Sequence, residues 1–324
     1  MCAKKGGDGV IKRYLSSELI SELASEQSQS CLEQSRSCLE HSQSCLEQSQ
    51  SCLGQSQSCL GQSQSCFEQT ERNGFTVLRG THNGRRAVSV TTPAECLGDE
   101  RGARLAAIAV SEELCSVIPP EILRSNAPVT VICLGNAAFT ADSLGPLTGR
   151  DIIATRSFLR SGESRFSGDL REVSVLLPGA GGRTGIEALE LASACIPTLM
   201  PSLVIAVDAL RAVKRSSLCS VIQMSEGGIT PGSGVGNARA ELSERTLGVP
   251  VITVGSPTAI SSGALICDAL KRAGISELTP TLEEILRDER SFTVTESGAD
   301  EAIALRARVI AHAINLSLLG FAEV

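Results

Sequence analysis

Two aspartates stand where apolar strands should end. Asp142 follows the run Val129–Leu134 across a break at Gly135-Asn136, and Asp208 directly follows the run Leu203–Val207. Both runs are β-branched or apolar without alternation, as in strands buried on both faces. If the two are parallel neighbours, their acids meet at the carboxyl edge of an open sheet, where α/β proteins keep their chemistry. Two carboxylates at one edge cannot both ionise cheaply, so one accepts a proton from water while the other holds one for a leaving amide. That is peptidase chemistry with no metal and no cofactor. On spacing alone, helix capping is an equal alternative for Asp142, before Leu144-Gly145-Pro146, and for Asp208, before Ala209.

Other catalytic sets lack parts. The three histidines, His41, His82 and His312, are far apart, none beside a Gly-x-Ser-x-Gly elbow, and there is no His-Glu-x-x-His. Cys133 falls inside a strand and Cys195 inside a helix, where burial raises a thiol's pKa and makes it inert. Two glycine-rich stretches, Pro178–Gly185 and Thr230–Asn237, resemble phosphate cradles, but neither has a nucleotide-binding spacing. Glycine also lets a bound chain approach closely, so an extended peptide suits them. We place substrate contacts at Gly232, Ser233, Gly234, Gly236 and Asn237, and at Glu187, which reads equally as a first-turn helix acid.

These residues need a scaffold. Phe75–Arg79 and Arg86–Thr91 predict a small hairpin around Asn83-Gly84. Helices are predicted at 104–118, from 145 to about 159, 184–196, 262–273 and 299–319, and strands at 129–134, 173–177, 203–207, 220–224 and 251–254. Residues 276–292 read as a surface excursion. Such alternation predicts an α/β fold with a mostly parallel sheet and helices on both faces. With 30 glycines and only 7 Phe, 1 Tyr and no Trp, the core must be aliphatic, which suits that sheet better than a β-sandwich.

A net charge of −7 leaves no basic footprint for nucleic acid. No apolar run approaches the roughly 20 residues of a membrane span, and no signal peptide is evident, so the chain reads as intracellular. Of 13 cysteines, Cys31, Cys38, Cys45, Cys52, Cys59 and Cys66 recur every seven residues in a Ser/Gln-rich repeat. Cys and Leu are adjacent there rather than at coiled-coil seam positions, and the composition predicts disorder. The other seven read as small buried hydrophobes. The domain reading is 1–26 as a propeptide-like segment, 27–72 as the low-complexity repeat, and 73–324 as the α/β domain.

The motifs Leu134-Gly-Asn136, Thr140-Ala-Asp-Ser-Leu-Gly-Pro146, Thr184-Gly-Ile-Glu187, Ile205-Ala-Val-Asp-Ala-Leu210, Gly228–Asn237 and Thr246-Leu-Gly-Val-Pro-Val-Ile252 together resemble the germination protease family of endospore-forming bacteria, in order across about residues 73–320. The resemblance implies an endopeptidase that degrades small acid-soluble spore proteins in the germinating spore core. It also implies a zymogen that assembles as a homotetramer, and a phosphorylase/hydrolase-like fold similar to hydrogenase maturation proteases. The family's two essential aspartates fall on Asp142 and Asp208. Ala141 and Ser143 depart from the usual proline and alanine, and Ile11–Glu18 only loosely resembles the family's processing site. A small-ligand hydrolase or phosphorylase working through the glycine loops, and a non-catalytic binder of extended spore proteins, are the competing readings.

Overall fold

The computed structural model describes residues 67–82, 84–161, 170–231, 240–275, 277–286 and 292–320. Residues 1–66, and with them the propeptide-like segment and the cysteine heptads, lie outside the described residues. So do Gly232, Ser233, Gly234, Gly236 and Asn237.

The chain opens with a meander, β1 (Phe67–Arg72), β2 (Phe75–His82) and β3 (Arg85–Thr91), each antiparallel to the next. Sequence reading gave only the second and third strands and assigned 67–72 to the repeat. The overlooked signal is Asn73-Gly74, both at positive φ, a two-residue hairpin turn.

Helix α1 (Glu100–Val117) starts where the Asp99 carboxylate accepts the Gly102 N–H. The chain then enters β4 (Val129–Cys133), α2 (Leu144–Asp151), β5 (Val173–Leu176), α3 (Ala188–Leu199) and β6 (Leu203–Ala212). It continues through β7 (Val221–Glu226), β8 (Val251–Ser261), α4 (Ser262–Arg272), β9 (Thr293–Val294) and α5 (Ala299–Leu319). The predicted helix from 145 to 159 is broken: α2 stops at Asp151 and only a short turn, Arg156–Arg160, follows.

The strand order is β1-β2-β3-β7-β8-β6-β4-β5, with β9 beside β8. Parallel pairings join β4 to β5, β4 to β6 and β6 to β8; the rest are antiparallel. The expected mostly parallel sheet is therefore a mixed one. The cause lies just after Asp208. A helix start there is the capping alternative for Asp208, but β6 runs on to Ala212, which leaves only residues 213–220 before β7. A crossover to a parallel strand takes a dozen residues or more, so β7 returns antiparallel.

Helices do cover both faces. On one, α1, α2 and α5 bury Leu105, Leu144, Ile303 and Ile310 against Val131, Ile205 and Val254. On the other, Ala188 and Ala192 of α3 pack on Ile132, Val204 and Ala206. Helix α5 is long and apolar enough to cross a membrane, but 61% of its apolar window is buried within the fold. It is the core helix of this domain, and its fully buried Arg306 donates to the carbonyls of Thr92 and Ala302. Buried Arg171 likewise donates to the carbonyls of Ala127, Ser125 and Leu318, tying the segment before β4 and the end of α5 to the start of β5.

Candidate active site

The parallel strands deliver their following loops to one edge. Strand β4 pairs with β6 through Cys133 and Val207, and the Leu134 N–H adds a last bond to the Val207 carbonyl at 2.8 Å. Gly135 then turns the chain at φ +114°. A side chain is excluded there twice over: the backbone is left-handed, and a Cβ would lie 2.1 Å from the Asp142 carbonyl oxygen. The Asn136 N–H donates to that same oxygen at 2.8 Å. Gly145 plays the matching part at the start of α2, where a Cβ would meet the Leu134 carbonyl at 2.0 Å. The two glycines let the loop fold flat against the strand end, which sets Asp142 at the edge.

Asp142 closes a 3-10 turn, Thr140–Asp142, and is partly exposed. The turn is held from three sides. Thr258 Oγ1 on β8 donates to the Ala141 carbonyl at 2.5 Å, Ser143 Oγ donates to the Thr140 carbonyl, and Thr140 Oγ1 donates to Asp300 at the start of α5. Asp208, only 5% exposed, sits within β6 opposite Gly255 of β8. Its Oδ1 accepts the Ala209 N–H at 2.9 Å. By the two-residue strand period it shares the face of Val204 and Ala206.

Both aspartates line one open cleft of about 170 Å³. Neither is a helix cap: α2 begins after Ser143, and Asp208 is followed by strand. Capping, an equal reading on spacing, is thereby set aside. The cleft also takes in Phe139, Arg211, Thr258 and Thr293, none of which sequence reading singled out. Phe139 lies in a loop with no motif, Arg211 and Thr258 lie on strands that run further than their apolar runs suggested, and Thr293 lies on β9, a two-residue strand that no apolar run marks. Gly179 of the first glycine stretch and Pro231, near the start of the second, reach the cleft wall. An antiparallel bridge between Ile229 and Leu242 closes the base of that second stretch.

Glu187 is exposed and caps α3. Its carboxylate accepts the Glu190 N–H, while the Glu190 carboxylate accepts the Glu187 N–H at 2.8 Å. The Ala188 beside it lines the cleft.

The other nucleophile candidates lie elsewhere. Cys133 and Cys219 are buried, and burial pushes each thiol up to about 12. Cys195 is half-buried, as are Cys96, Cys115 and Cys267, so among the described residues the expectation of buried hydrophobes holds for Cys133 and Cys219 alone, Cys2 lying outside them. The helices at these positions present one side to solvent. His312 lies in a different groove, between α1 and α5. Burial holds its pKa below the usual value, with Asp151 opposing and Arg308 and Arg104 reinforcing. Among the described residues no three His, Cys, Asp or Glu side chains come together as metal ligands would.

Comparison with known proteins bears directly on this cleft. The sequence model of the germination proteases matches residues 98–274, a span that includes both aspartates. The germination protease of Clostridium acetobutylicum is 33% identical over 230 residues, covering 64% of this chain and 70% of that one. That of Caldanaerobacter subterraneus is 34% identical over 218 residues, covering 60% and 67%. Identity reaches 42% with the Halalkalibacterium halodurans enzyme, over 140 residues that cover 43% of this chain and 38% of its length. With more than half of its length inside the family's sequence model, this chain belongs to the germination protease family.

Proposed function

We propose that this protein is a spore-germination endopeptidase in which Asp142 and Asp208 activate water, and that its substrates are the small acid-soluble spore proteins of the spore core. One carboxylate takes a proton from water as the oxygen attacks the peptide carbonyl carbon. The other, entering as the acid, gives its proton to the amide nitrogen as the carbon–nitrogen bond breaks. Exchange of the two protonation states readies the site for the next turnover. The single observation that carries this reading is that a buried aspartate on β6 and a partly exposed one in the loop after β4 open on the same cleft of a peptidase-family chain.

Asp142→Asn and Asp208→Asn should each lower kcat on a spore-protein peptide by at least about a thousandfold, since the pair acts as a unit. Far-UV circular dichroism should be unchanged. Wild-type turnover in either variant defeats the aspartate reading, and tight binding of the peptide by the wild type without turnover points to a binder instead. The reading also takes the protein to be made as a zymogen, with the catalytic domain, expected from residue 73 but extended to Phe67 by β1, in a homotetramer and residues 1 to about 18 removed on activation. Native mass spectrometry of active protein from sporulating cells tests both; an intact Met1 or a monomeric mass would count against them.

A further inference from the structure

The cleft has one wall made of backbone. Strand β6 turns the N–H and C=O of its odd-numbered residues toward β4, as the bond from Leu134 to the Val207 carbonyl shows. Those of its even-numbered residues face β8, as the bond from the Val204 N–H to the Pro250 carbonyl shows. Strand β4 ends at Cys133, level with Val207, whereas β6 continues against β8 through Ala212. From Asp208 onward β6 thus has a strand on one side only. Among the described residues no strand pairs with its other side, and that stretch, Asp208 to Arg211, lines the same cleft as Phe139 and Asp142. The Ala209 N–H is taken by Asp208 Oδ1. The β6–β8 register slips by one residue between Leu210 and Arg211, with the extra residue, Thr258, on β8; continuing the alternation of β6 itself, the Ala209 carbonyl and the Arg211 N–H and carbonyl are the strand-edge groups facing the gap.

An unpaired strand edge inside a cleft is a template for an extended chain, main-chain hydrogen bonds supplying affinity. We propose that the substrate peptide binds as an added strand along the free edge of Asp208–Ala212, in the space that β4 vacates. One of its N–H groups donates to the Ala209 carbonyl, and one of its carbonyls accepts from the Arg211 N–H. The proposal rests on the peptidase reading above and deepens it. Asp208 begins the edge and Asp142 lines the same cleft, so the added strand brings its peptide bonds to the two acids. Helical or compact substrates cannot take this position, so the site selects segments that are extended or can become so.

The test is an N-methyl scan of a spore-protein peptide through the residues flanking the cut bond, with binding read on the Asp142→Asn protein and kcat/KM on the wild type. Methylation should weaken both at least tenfold at positions whose N–H faces β6 and little at the alternate positions, giving a period of two. In the protein, Arg211→Pro removes the outward N–H together with the side chain and should raise KM at least tenfold over Arg211→Ala, which removes the side chain alone and retains the alternation, with circular dichroism unchanged in both. An affinity profile without alternation, or an Arg211→Pro protein of wild-type KM, overturns the added strand. If alternation is seen but the Asp142→Asn protein still cleaves, the aspartate reading fails and the edge stands. If that variant is dead and alternation is absent, the reverse holds.

Discussion

The two halves of the sheet differ in what surrounds them. In the β8–β6–β4–β5 half, Val129–Cys133 is buried at every position, as is most of β6. In the β1–β2–β3–β7 half burial alternates along β3 and β7, and β1 is almost wholly exposed. A strand buried on both faces needs helices above and below it. The crossovers that supply them return every parallel strand in the same direction, so the loops that follow gather at one edge. Antiparallel hairpins reverse direction at each turn and gather nothing. The meander is therefore a flank: one face packs into the main core through Phe75, Val77, Val88 and Val90, reinforced by the paired bonds of Arg79 to the buried Glu113, and the chemistry belongs to the other half.

Matched glycine substitutions put the contrast under most strain. Gly135→Ala introduces a Cβ into the Asp142 carbonyl at a left-handed position, and should cost about 2–4 kcal/mol of stability. Because the displaced atoms belong to Asp142, peptidase activity should fall with it. Gly74→Ala, in the β1–β2 turn, also meets φ +82° but has nothing within 4 Å of the new methyl. It should cost about 1–2 kcal/mol, the left-handed penalty alone, with activity unchanged. Urea unfolding paired with peptide cleavage reads both. Equal effects of the two substitutions on activity would remove the distinction between the halves.

Much of the site-bearing half is legible in the sequence, because continuous apolar runs such as Val129–Leu134 and Leu203–Val207 have few other uses. Their ends are less so. Asp208-Ala209-Leu210-Arg211 suits a helix start by local preference, and what keeps it in β6 is pairing with Gly255, Ser256 and Pro257 far along the chain. The pinning of Ala141 by Thr258 is equally invisible, since it joins residues 117 apart. On the other side, β1 was hidden by composition. Phe67–Arg72 continues the polar character of the repeat, and only Asn73-Gly74 marks it as half of a hairpin. The glycine at 135 was visible as a break; that it must be glycine because Asp142 lies against it was not.

The smallest expected effect lies in the flank and depends on pH. Glu226 at the end of β7 accepts the Arg86 N–H at 2.9 Å and its Nε at 2.7 Å, while other nitrogens of that guanidinium reach the carbonyls of Ser116 and Val117 at the end of α1. Burial pushes the Glu226 carboxyl up, but the bonds and charge of Arg86 outweigh it and hold the group below its usual range. A carboxylate with a depressed folded-state pKa stabilises the fold above its unfolded value, about 4.3 for Glu. That contribution disappears as pH falls through the lower folded-state value. Glu226→Gln should therefore be less stable than wild type at pH 7 and indistinguishable from it once the wild-type carboxyl is protonated. The side chains of Arg86 and Glu226 are 47% and 31% exposed, so solvent screening keeps the neutral-pH difference to about 1 kcal/mol or less. Cleavage should be unaffected, because the pair lies on the flank and outside the cleft. A pH-independent stability difference would mean that the loss comes from packing, and a change in kcat would mean that the flank and the cleft are coupled after all.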